Sequence, residues 1–144
     1  MATPQKIATP AARLVQWSPT VAEHLGQYLT PQQLNGVFYD WYGNRVALWG
    51  LFSGNTHVGT LATRIDVMLD KTRHWVFVHA GGKWIEQLKD LQSYFEGVAH
   101  HHHCHALRLD LGSGHIARIA RERLRGFTTY EVSIVCPLTK RGAS

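Results

Sequence analysis

The chain has 144 residues, enough for one domain with a single core. Hydrophobic residues make up 44% and charged residues 17%, which excludes wholesale disorder, and a formal charge of +5 favours an anionic partner. Cys104 and Cys136 form no recognisable disulfide framework, no apolar run reaches membrane-spanning length, and Met1–Lys6 lacks the pattern of a secretory signal, so the sequence reads as a reduced, soluble chain.

In chain order, residues 1–12 read as a flexible Pro/Thr/Ala arm and residues 13–144 as one domain, with no internal repeat. Ser18-Pro19 starts a helix that runs toward Tyr28, because serine caps and proline suits the first turn. Thr30-Pro31-Gln32-Gln33 repeats that signature and predicts a short helix to about Asn35. Val37–Tyr42 is aromatic and β-prone; it reads either as the end of that helix or as an edge strand. Arg45–Phe52 and His57–Val67, separated by Ser53-Gly54-Asn55, read as an antiparallel hairpin. Arg73–His79 is a strand leading into Ala80-Gly81-Gly82-Lys83. Trp84–Val98 is then an amphipathic helix with Ile85, Leu88, Leu91, Phe95 and Val98 on one stripe. Leu107–Leu111 alternates as a strand, His115–Arg125 carries a helical stripe, and Thr128–Pro137 supplies a final strand.

A glycine turn between a strand and a helix can present backbone N–H groups to a phosphate. In order of elements over roughly residues 45–138, the chain resembles the GNAT (Gcn5-related N-acetyltransferase) fold, which implies an α+β architecture with a mixed, mainly antiparallel twisted sheet flanked by helices. The family's fourth strand ends in Arg/Gln-x-x-Gly-x-Gly/Ala, whose amides bind the pyrophosphate of acetyl-CoA. That alignment puts His79 at the Arg/Gln position, Gly82 at the first glycine and Trp84 at the second, with Glu86 just beyond. The cofactor-binding positions are then Gly81, Gly82, Lys83 and Trp84. The indole and the Glu86 carboxylate both read as unfavourable to an anion, partly offset by Lys83, so the loop reads as degenerate. The family often closes with Asn, then Tyr as general acid seven residues later, then Gly-Phe. Counting back from Gly126-Phe127 places His115 and Glu122 at those positions, and Glu122 could donate a proton only if burial raised its pKa. Gly114–Arg118 and Leu124–Phe127 are also similar to the closing helix of small GNAT-like virion proteins of tailed bacteriophages. The resemblance thus implies a binding or structural component without cofactor, in a phage virion or host cytoplasm, with virion proteins or itself as partner. The alternative is an acetyl-CoA-dependent N-acetyltransferase acting on an amine, with Glu122, His115 and His79 as catalytic residues.

Three further features carry chemistry. His100–His105 with Cys104 offers metal-ligating groups, but no second Cys/His pair elsewhere completes a structural site, so no metal is expected. Arg118, Arg121 and Arg125 share one helical face and could contact nucleic acid, although no aromatic residues interleave with them. Trp41, Trp49, Trp75 and Trp84 read as core or rim aromatics, and Asp40 and Asp66 as isolated acids.

Overall fold

The computed structural model describes residues 10–110, 122–126, 128–130 and 133–138. In chain order these form β1 (Pro10–Leu14), α1 (Pro19–Gly26), α2 (Pro31–Tyr42), β2 (Ala47–Ser53), β3 (Thr56–Val67), β4 (Arg73–Gly82), α3 (Trp84–His101), β5 (Ala106–Leu109), β6 (Thr128–Tyr130) and β7 (Ser133–Pro137). The strands make one seven-stranded sheet in the order β1-β2-β3-β4-β5-β7-β6. Among the described residues only the β4–β5 pair is parallel, because α3 carries the chain over between them. The architecture is α+β, with a mixed and mainly antiparallel sheet flanked by helices, as the element order predicts.

Capping chemistry fixes the first two helices. Ser18 Oγ accepts from the Val21 N–H at 3.2 Å, and Thr30 and Gln33 form a reciprocal capping box at 2.9 and 3.1 Å. The open choice at Val37–Tyr42 resolves to helix: α2 continues to Tyr42 and turns Leu34, Val37 and Trp41 inward at helical spacing. Burial of that stripe outweighs the β-propensity of the aromatics.

Two expectations of the sequence are corrected. Pro10–Ala12 belong to β1, whose residues pair antiparallel with Leu51–Ser53, so the segment read as an arm enters the sheet; residues 1–9 lie outside those described. Thr128–Pro137 is a hairpin of two strands, Thr129 pairing Ile134, and β7 rather than β6 lies against β5. The helix expected at His115–Arg125 falls largely outside the described residues; Glu122 and Arg123 have helical backbone.

The sheet separates two cores. On one face Trp49, Leu51, Leu61, Trp75, Phe77 and Leu107 pack against Trp84, Leu88, Leu91, Phe95 and Ala99 of α3. On the other, Leu48, Ala62, Val76 and Val78 pack against Val21 and Leu25 of α1 and Val37 of α2. The buried stripe of α3 begins at Trp84, with Ile85 at its partly buried margin. Among the described residues no helix is long and apolar enough to cross a membrane.

Candidate functional site

Strand β4 leads to the site and bends on the way. Thr63 pairs Phe77 and Ala62 pairs His79, leaving Val78 as the extra residue of a bulge. Val76 and Val78 face α1 and α2, and the bulge turns His79 to the same side, where Asp40 of α2 and Arg64 act on it; Ala80 returns to the α3 face. Parallel pairing with β5 ends at Phe77↔Leu109, closed by the Asp110 N–H donating to the Phe77 carbonyl at 2.9 Å. Beyond that point, among the described residues, β4 has no β5 partner. The first turn of α3 follows directly from this stretch of β4.

The two glycines are both needed, but for the chain's own packing. A Cβ on Gly81 would lie 1.9 Å from the His24 carbonyl oxygen at the end of α1. Gly82 has φ +66°, and a Cβ there would lie 2.5 Å from the Val58 carbonyl oxygen. Two turn amides are also engaged: Gly82 N–H donates to Gln27 Oε1 at 3.0 Å, and Lys83 N–H to the Val58 carbonyl at 2.8 Å. Sequence reasoning missed Gln27, and no local pattern marks it, since its role depends on α1 packing over the turn.

The helix end is different. Lys83, exposed, occupies the N-cap and provides no side-chain cap. Among the described residues, no acceptor meets the N–H groups of Trp84, Ile85 or Glu86, whereas α1 and α2 are capped by side chains. The Trp84 ring, expected to crowd an anion, is turned into the α3 core and is 5% exposed, because helical phase places it in line with Leu88, Leu91 and Phe95. Glu86 does sit exposed in that first turn. An anionic cofactor group therefore fits the first turn of α3 with the Lys83 ammonium, but not the bare faces of Gly81 and Gly82.

His79 and Glu122, the expected catalytic residues among those described, are not brought together. His79 lies on the α1–α2 face, and burial holds its imidazole below the usual range, with Asp40 opposing and Arg64 adding to that shift. Glu122 is exposed, in a recess of about 410 Å³ lined by Glu86, Lys89, Asp90 and Arg123, and so lacks the burial that its role as an acid requires. His115, Arg118 and Arg121 lie outside the described residues. Arg125 is bound to α3 through Ser93 Oγ at 2.9 Å and Glu96 at 3.8 Å, and its main chain is held by the buried Gln92 carboxamide at 2.7 and 2.9 Å.

The histidine run disperses. His100 and His101 end α3, the His102 ring lies 5.6 Å from Trp75, and His105 Nδ1 accepts from Arg73 N–H at 3.0 Å. No group of three His, Cys, Asp or Glu side chains converges among the described residues. Nor are the acids isolated: Asp40 pairs with Arg45, and Asp66 with Arg64 and Arg108.

The architecture is that of GNAT acetyltransferases. The ribosomal-protein-S18-alanine N-acetyltransferase of Escherichia coli superposes with a TM-score of 0.62 at 14% identity, over 93% of this chain and 97% of that one. A probable acetyltransferase of Staphylococcus epidermidis gives 0.64 at 11% identity over 90% and 99%. A GNAT family acetyltransferase of Elizabethkingia anophelis, with acetyl-CoA bound, gives 0.60 at 12% identity over 90% and 99%. At these identities the likeness is one of fold. No protein-family model matches the chain, and no curated protein matches it by sequence.

Proposed function

We propose that this protein is an acetyl-CoA-dependent N-acetyltransferase acting on an amine. The observation that carries the reading is the uncapped first turn of α3, which follows the stretch of β4 beyond its last described pair with β5, Phe77↔Leu109. The N–H groups of Trp84, Ile85 and Glu86, the positive end of the helix and Lys83 form the part of the turn suited to the phosphates of the cofactor. Acetyl-CoA, when bound, supplies the acetyl group as a thioester. His79, kept neutral by burial, is the described residue suited to accept a proton from the attacking amine at a ring nitrogen. The fold likeness to acetyltransferases, one of them with acetyl-CoA bound, supports this assignment.

A second reading, a GNAT-fold protein that binds a protein partner or its own copy without cofactor, is favoured by the engaged amides of Gly82 and Lys83. The exposed Tyr28, Tyr39 and Tyr42 offer it contact surface. Its placement in a phage virion gains no support from the structure, since Gly114–Arg118 lies outside the described residues. Thermal-shift titration with acetyl-CoA separates the two readings. Ligand at a hundredfold its dissociation constant stabilises the native state by about 2.7 kcal/mol, a rise in Tm of about 5–10 °C for a chain of this size. A Tm that stays fixed at every concentration, with no thiol released in the presence of amine substrates, overturns the enzyme reading.

A further inference from the structure

Beside the glycine turn lies a cluster that the acetyl-transfer reading does not use. The Thr60 hydroxyl of β3 sits between two imidazoles, 2.8 Å from His24 Nδ1 of α1 and 3.0 Å from His57 Nε2 of β3. Thr60 is fully buried, and the two ring centroids are 5.0 Å apart. His57 stacks on Phe52 at 4.9 Å, and the Arg13 guanidinium lies over that phenyl ring at 3.8 Å. The backbone of the same His24 fills the space over Gly81, and Gln27, at the end of the same helix, accepts from Gly82 N–H.

The proton inventory of this bridge is tight. A threonine hydroxyl has one hydrogen to give, so both bonds form when one ring nitrogen donates to the oxygen and the other, bare, accepts from it. With one ring charged the bridge still closes. With both charged, each nitrogen can only donate, and the hydroxyl hydrogen loses its acceptor inside a fully buried group. Two cations then also stand side by side.

We propose that His24, Thr60 and His57 form a proton-sensitive latch that holds the C-terminal end of α1, and with it Gln27, on the glycine turn, and that protonation of the second ring releases it. The charged groups acting on the pair are Glu23 on His24, and His24 and Arg13 on His57; β4 contributes Gly81 and Gly82, which carry no charge. Burial keeps both imidazoles below the usual value of 6.5, so the latch is closed at neutral pH and opens in mild acid. The inference rests on the geometry of the unliganded turn and stands or falls separately from acetyl transfer.

The test is amide hydrogen exchange by NMR on the unliganded protein, with exchange at each pH referred to the intrinsic rate, alongside imidazole C–H titrations. As pH is lowered from 7.5 through the titration of the second ring, Gly82 protection should fall at least tenfold, while Phe95 in α3 stays constant. In His57→Gln, where the carboxamide can still bridge to Thr60 but cannot titrate, Gly82 protection should become flat with pH. His24→Gln provides the same control from the other side if the first variant does not fold. Gly82 protection that stays level in the wild type while both rings titrate, or that falls equally in a folded glutamine variant, overturns the latch.

Discussion

Replacing Gly81 with alanine tests whether α1 is seated on the glycine turn. The added Cβ would fall 1.9 Å from the His24 carbonyl oxygen, 2.3 Å from its carbon and 2.9 Å from the Leu25 nitrogen. All three are backbone atoms, so no rotamer change relieves the overlap, and the end of α1 must retreat by about 1 Å or more. Retreat loosens Val21 and Leu25, both fully buried, whose complete exposure would cost about 1.5–3 kcal/mol each. Partial loss together with residual overlap gives an expected destabilisation of about 2–4 kcal/mol, or a fall in Tm of about 5–15 °C. Gly36→Ala is the matched control. Gly36 lies within α2, and a Cβ there meets nothing within 4 Å. Removing a helical glycine should therefore stabilise by about 0.5–1 kcal/mol. Urea denaturation of both variants reads the two signs directly. A Gly81→Ala protein within about 0.5 kcal/mol of wild type would refute the argument, since unremarkable substitutions stay inside that range.

Three further outcomes are expected. Gln92→Leu, which keeps volume but loses both bonds to the Arg125 main chain, should cost about 2 kcal/mol by urea denaturation; the exposure of Arg125 lets water replace part of the loss. His24, His57 and His79 are all held below 6.5 chiefly by burial, so the unfolded chain binds protons more readily than the folded one. Their contribution to stability is then complete above about 6.5 and is lost as pH falls from there toward the folded-state values, so the urea midpoint should drop across that window; a midpoint independent of pH between about 7 and 5 would contradict the burial of these rings. Cys104 and Cys136 are buried, and burial raises both thiols above their usual value. A disulfide reagent should modify them at the rate of unfolding, and reaction within the mixing time would show that one is open to solvent.

What could be read from the sequence followed how local its cause was. Ser18-Pro19 and Thr30-Pro31-Gln32-Gln33 announce α1 and α2 because a cap and its partner lie three residues apart. The helical state of Val37–Tyr42 depends on what Val37, Phe38 and Trp41 pack against, which is supplied by Trp17, by α1 and by the core that α1 shares with the sheet. β1 escaped notice for the same reason, since Ala11 and Ala12 carry no periodic signal and become a strand only by pairing with Phe52 and Leu51. At the site, the position of the glycine turn was legible, but the direction each residue faces was not. The motif alignment puts Trp84 on the ligand side; helical phase, set by Leu88, Leu91 and Phe95, puts it in the core instead. His24, Gln27, His57 and Thr60 converge only once α1 lies across β3 and β4, and no spacing in the chain reveals that.

The glycine pair and the helix end therefore answer different demands. At Gly81 and Gly82 the absence of a Cβ is explained by the His24 and Val58 carbonyls, which approach more closely than any side chain permits. Nothing in that packing accounts for the start of α3, where three N–H groups lack an acceptor among the described residues and Lys83 stands at the cap in place of a capping side chain. Ser18 and Thr30 cap α1 and α2 from extended backbone, with ψ 166° and 160°, whereas Lys83 has ψ 43°, so a carboxylate at position 83 would act through its charge at the positive end of the helix. Lys83→Asp consequently separates a structural from a functional cause. A helix end serving only the fold should gain about 0.3–1 kcal/mol from a carboxylate at the positive end of the helix. An end that receives cofactor phosphates should show the same gain in the unliganded protein but lose acetyl-CoA binding, because the carboxylate repels the anion. Equal acetyl-CoA shifts in wild type and Lys83→Asp would remove the first turn of α3 from the site.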